Sequence, residues 1–185
     1  MRWDDLFDDL DRQFEVLIDA AEDAQGAEET RLQFGRVSLT ERLAGAVGAI
    51  VRLRLAGSST VTGELAKVGP DWLLIQENGT ADVLIARAAV AAVERASVRT
   101  GLPLDAVGSR FDLRKALRAV ARDRAGVTVH TAHAVHIAGT IDRVGHDFIE
   151  VAAHASGEVR RATAVRGVIL VPLATLVMVR SAPLG

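Results

Sequence analysis

Five histidines, His130, His133, His136, His146 and His154, crowd into one stretch of a 185-residue chain that has no cysteine. Imidazole can ligate a metal, move a proton or sense pH near 6. Val127, Val129, Ile137 and Ile141 set the apolar phase of this stretch. His130 and His136 therefore fall on the other face, opposite each other if the chain turns near His133. Imidazoles so placed could hold Zn²⁺ or Ni²⁺. No carboxylate stands close in sequence to complete such a site. The expectation is thus polar histidines on an exposed ribbon and no metal, with His130 and His136 the weak candidates.

The cations are the second group with chemistry. Segment 152–168 brings Arg160, Arg161 and Arg166 against Glu158, where the corresponding connection earlier in the chain is the acidic QENGTAD. Arg114, Lys115, Arg118 and Arg122 share a polar helix face, and Arg87 sits between two alanines. Such groups can contact phosphates, and a solvated surface carries them equally well. Charge is divided unevenly along the chain. Residues 1–30 hold eleven acids against Arg2 and Arg12, while the remainder holds twenty bases against thirteen acids.

Catalysis has little support in these residues. There is no thiol nucleophile, GxSxG, HExxH, GxxxxGK[ST] or GxGxxG. No catalytic residue, cofactor or enzymatic activity is expected. No apolar run approaches the 18 residues of a membrane span, and the acidic N-terminus is unlike a signal peptide. A cytoplasmic protein with no membrane partner is expected, and the absence of cysteine suits a reducing compartment.

The elements that must position these residues repeat. VRLRLAGSSTVTGELAKVGPDWLLI (51–75) aligns with VTVHTAHAVHIAGTIDRVGHDFIEV (127–151) at a constant offset of 76. VLIARAAVAAVE (83–94) aligns with ILVPLATLVMVR (169–180) at an offset of 86. Each copy reads as five short strands from its alternation and turn residues. Each follows a helix: 39–47, opened by the capping box Ser38-Leu39-Thr40-Glu41, and about 112–124, with Asp112 as N-cap. A third helix is predicted over 2–33. Trp3, Phe7, Leu10, Phe14 and Leu17 form its apolar stripe and carboxylates its other face, which suits a docking or self-association helix.

The pattern V-x-L-x-L, turn, V-x-G-x-L, then V-G-x-D-x-L-x-L, a variable loop and a closing apolar hairpin resembles the Sm-like fold over 38–95 and 112–180. The whole chain resembles an uncharacterised actinobacterial family of Sm-like, SH3-like barrel proteins. The resemblance implies a mainly β (α+β) protein with two tandem five-stranded Sm-like barrels. It also implies assembly through edge strands and single-stranded RNA binding. Asp71 and Asp147 occupy the family's loop Asp, but the Asn that follows is missing from both copies. Arg87 keeps the Arg of its Arg-Gly pair without the Gly, and Pro172-Leu173-Ala174 keeps neither.

The expected organisation is an acidic helix over 1–35, a first module over 36–96, a linker over 97–110, and a second module over 111–181 with the enlarged basic loop 152–168. The expected function is that of a non-enzymatic interaction or scaffold protein. It would associate with a protein partner or with itself, through the N-terminal helix or the sheet edges. The alternative is a weak RNA or DNA binder using Arg87, Arg114, Lys115, Arg118, Arg160, Arg161 and Arg166, with the acidic helix as autoinhibitor.

Overall fold

The computed structural model describes residues 32, 34–77, 81–95, 99–154 and 167–181. Two compact units divide the chain, Met1–Ser38 and Leu39–Gly185. In the first, the Val37 N–H donates to the Phe34 carbonyl at 3.0 Å. The helix expected over 2–33, with Trp3, Phe7, Leu10, Phe14 and Leu17, lies outside the described residues, as do Arg160, Arg161 and Arg166.

The second unit begins with helix α1 (Leu39–Ala44), then strands β1 (Ile50–Leu55), β2 (Thr60–Val68), β3 (Trp72–Glu77), β4 (Ala81–Ala86) and β5 (Val90–Glu94). Helix α2 (Leu113–Asp123) precedes β6 (Val127–Thr131), β7 (His136–Val144), β8 (Phe148–Ala153), β9 (Gly167–Pro172) and β10 (Leu176–Ser181). The ten strands of the described residues form one antiparallel sheet, in the order β5-β1-β2-β3-β4-β10-β6-β7-β8-β9.

This order corrects the expectation of two closed Sm-like, SH3-like barrels. Closing either half would require its fourth strand to pair with its own fifth. Instead β4 pairs with β10, with Ile85 opposite Met178, Leu84 opposite Val179 and Val83 opposite Arg180. The halves therefore merge into a single open sheet. The sequence repetition is a repetition of strand order: in each half the fifth strand lies beside the first.

Side-chain patterning explains why β4 and β10 meet. Strand β1 alternates exposed and buried residues, as expected for a sheet with one covered face. In contrast, Val83 to Ala86 and Leu176 to Val179 are uninterrupted apolar runs, buried at every position. Such runs suit central strands covered on both faces, and pairing them with each other places both at the centre. The Arg180 guanidinium donates to the Glu77 carboxylate across the same junction, and the Ser181 Oγ accepts the Asp82 N–H at 2.9 Å. The buried apolar residues of both halves form one continuous core.

The turn V-G-x-D-W/F works structurally in both halves. Glycine leaves room for an aromatic ring folded over the turn: a Cβ on Gly69 would meet the Trp72 indole at 2.2 Å, and one on Gly145 the Phe148 ring at 2.6 Å. The Asp71 carbonyl accepts the Arg87 N–H at 2.9 Å, and the Asp147 carbonyl accepts the Leu173 N–H at 2.7 Å. Each turn thus holds the short 3-10 turn that joins its half's last two strands.

Candidate functional site

Helix α2 positions the cations. Leu113, Ala116 and Leu117 are its buried stripe, and the opposite positions carry Lys115, Arg118 and Arg122. Asp112 caps its N-terminus, its Oδ1 accepting the Lys115 N–H at 3.0 Å. Burial opposes ionisation of Asp112. The hydrogen bond from Arg114, the Lys115 N–H and the charges of both residues outweigh that cost and hold its pKa below the usual 3.8. The first half adds two further anchors. The Asp71 Oδ1 accepts the Leu113 N–H at 2.7 Å, and the Trp72 indole N–H donates to the Phe111 carbonyl at 2.6 Å.

Between α2 and β7 lies a cleft of about 1170 Å³, lined by Phe111, Lys115, Arg118, Arg122, Arg124 and Arg143 together with Asp142. Five cations thus face one carboxylate. A register shift between Ile141 and Arg143 bends β7, and Asp142 and Arg143 are both exposed there. Arg143 also has the Glu150 Oε2 at 3.7 Å. Lys115 donates from Nζ to the Arg110 carbonyl at 2.6 Å.

The structure sorts the cations that the sequence singles out. Lys115, Arg118 and Arg122 line the cleft, joined by Arg124 and Arg143. Arg114 turns back to the helix cap, donating from Nη2 to the Asp112 Oδ2 at 2.8 Å, with its Nη1 3.3 Å from the His146 Nδ1. Arg87 lines a separate cavity of about 440 Å³ beside the 3-10 turns at the junction of the halves, and its buried Nε has no hydrogen-bond partner. Sequence periodicity does not single out Arg143, because the register shift that exposes it beside α2 is a product of strand pairing. Arg124, by contrast, falls on the outward face that the helix period of 112–124 predicts. It takes a left-handed conformation (φ 51°) at the helix C-terminus, where glycine is usual.

His130 and His136 stand opposite each other on β6 and β7, ring centroids 4.3 Å apart. Burial, then the charges of His136 and Arg180, lower the His130 pKa to about 4, and its buried Nδ1 has no hydrogen-bond partner. Among the described residues no group of three or more His, Cys, Asp or Glu could hold a metal. His154 is 5% exposed and its Nε2 lies 2.8 Å from the Thr140 Oγ1, a buried pair that periodicity gave no reason to expect.

The free edges of the sheet are the second notable feature. Val168, Ile169 and Leu170 of β9 are exposed, by 60%, 39% and 61%. Their counterparts by the repeat include Val83 and Leu84, which β10 covers down to 0% and 6%. No described helix is long and apolar enough to cross a membrane. No protein-family model, curated protein or solved structure matches the chain.

Proposed function

We propose that this chain is a non-enzymatic assembly module of the cytoplasm, whose copies join head to tail through their sheet edges. The observation that carries this reading is the internal junction. There the fourth strand of one half pairs with the fifth strand of the other. The free edges, β9 and β5, are the fourth strand of the second half and the fifth strand of the first. One copy's β9 is therefore equivalent to the β4 that already binds such a partner.

Surface chemistry supports the same pairing. An exposed apolar edge strand is a template for another strand, and β9 carries neither a lysine nor an inward charge to block one. Its single proline, Pro172, ends the strand. By the register of the internal junction, Leu170 would face Val93 of the next copy, and Val171 would face Ala92. The contact joins two different surfaces, so repeated copies form a ring or a filament.

Size-exclusion chromatography with light scattering tests the reading. The wild-type chain is expected to run well above its 19.7 kDa monomer mass. Ile169→Lys/Leu170→Lys, which charges the β9 edge, is expected to shift it to monomer without loss of circular-dichroism signal. A wild-type chain that stays monomeric across the accessible concentration range refutes the assembly reading.

A further inference from the structure

We infer that the cleft between α2 and β7 binds a single strand of nucleic acid, with phosphates on its cations and a base against Phe111. This inference goes beyond the assembly reading and does not depend on it. Its first support is the charge pattern. Lys115, Arg118 and Arg122 follow one helix stripe that rises about 10 Å, a length matching roughly three phosphates at about 3.4 Å per nucleotide of a stacked strand. Arg124 and Arg143 extend the row at the helix end and across on β7; Asp142 is the carboxylate of the lining, and Glu150 lies 3.7 Å from Arg143.

The fold does not require these cations. By the repeat offset of 76, the stretch Ile141-Asp142-Arg143-Val144 corresponds to Leu65-Ala66-Lys67-Val68, with a register shift at the same place. The first half builds that bend without a second cationic row, since the six-residue α1 carries one cation, Arg42. The cleft is therefore a property added to one copy of a shared framework.

Arg124 points the same way. A non-glycine residue in the left-handed region is strained relative to glycine. At this left-handed position the chain carries a guanidinium into the lining of the cleft. Phe111 adds a surface of different chemistry. Its ring meets Trp72 edge-on at 5.9 Å, yet the residue stays 42% exposed, so that a base can stack on it.

Fluorescence anisotropy of the full-length protein with a labelled single-stranded RNA 20-mer tests the inference. With three to five phosphates neutralised, affinity should fall about 20- to 130-fold between 50 and 200 mM salt. Arg118→Glu/Arg122→Glu is expected to weaken binding at least about ten-fold, and Arg118→Gln/Arg122→Gln to weaken it less. Lys67→Glu, at the position equivalent to Arg143, should leave binding near wild type. Arg124→Gly should weaken binding while the Tm holds or rises, a pairing that a structural role for Arg124 does not produce.

Equal binding by wild type and both Arg118/Arg122 variants overturns the assignment, as does absence of salt-sensitive binding. Tighter binding of a duplex of the same length overturns the single-strand assignment. Displacement of the RNA by poly-L-glutamate as readily as by unlabelled RNA, at equal charge, overturns the choice of nucleic acid and assigns the cleft to acidic protein segments. Assembly-deficient Ile169→Lys/Leu170→Lys should keep the cleft's salt-sensitive binding, which separates failure of one reading from failure of the other.

Discussion

His130 shows how one half-buried imidazole couples stability to pH. The unfolded chain takes up this proton near pH 6.5, while the folded protein resists it until about pH 4. Between these values the unfolded state binds more protons, so stability rises with pH. The contribution is complete above about 6.5, drains as pH falls toward 4 and is flat below. His136 and Arg180 face the group, and Arg180 is itself paired with Glu77. Urea denaturation of wild type and His130→Gln should give a stability difference that changes across this window. A difference constant from pH 6.5 to 4 would show that His130 is not held neutral. The cross-strand pairing of His130 with His136 was legible in the alternation of Val127, Val129 and Ile137. The depth of His130 was not, since it depends on a sheet neighbour, β10, some fifty residues away along the chain.

At the scale of elements, the repeated glycines mark where strands approach closely. A Cβ on Gly139 would lie 2.2 Å from the Ala152 carbonyl oxygen, and one on Gly63 would lie 2.3 Å from that of Gln76. Both obstacles are backbone and cannot rotate aside. Gly139→Ala should therefore destabilise the fold by about 1–3 kcal/mol, as overpacking does, seen as a Tm drop of about 2–4 °C per kcal/mol for a chain of this size. An unchanged Tm would mean that β7 and β8 can separate freely. The glycines were legible as repeat positions, and so were the α2 cap at Asp112 and its apolar stripe. The register shifts at Leu65/Lys67 and Ile141/Arg143 were not, because a bulge is defined only against its partner strand.

The whole molecule uses a residue of one half to build the other. Asp71 accepts the N–H of Leu113 at the start of α2, and β4 of the same half pairs with β10. Asp147, its counterpart in the second half, stands exposed beside the exposed apolar edge of β9. If the internal junction is the template for assembly, Asp147 caps α1 of the next copy. Asp147→Ala should then lower the oligomer mass in light scattering while leaving the Tm of the dissociated chain unchanged. Asp71→Ala should destabilise the dissociated chain by about 1 kcal/mol of lost capping, a Tm drop of about 2–4 °C. Asp147→Ala that assembles like wild type would remove Asp147 from the interface.

By itself the sequence determined the local periods. Alternation, turn glycines and caps depend on neighbours a few residues apart, so ten strands, the helix α2 and the repeat were readable from one chain. Tertiary structure alone decided which strand edges meet. A hydrogen-bonded edge is satisfied equally by its own half, the other half or another copy, and nothing local distinguishes these. Here the uninterrupted apolar runs of β4 and β10 bury each other, which leaves the sheet open where two barrels were expected. The cationic cleft is also a tertiary product, since packing α2 across a bent β7 set Arg143 in one lining with Lys115, Arg118 and Arg122.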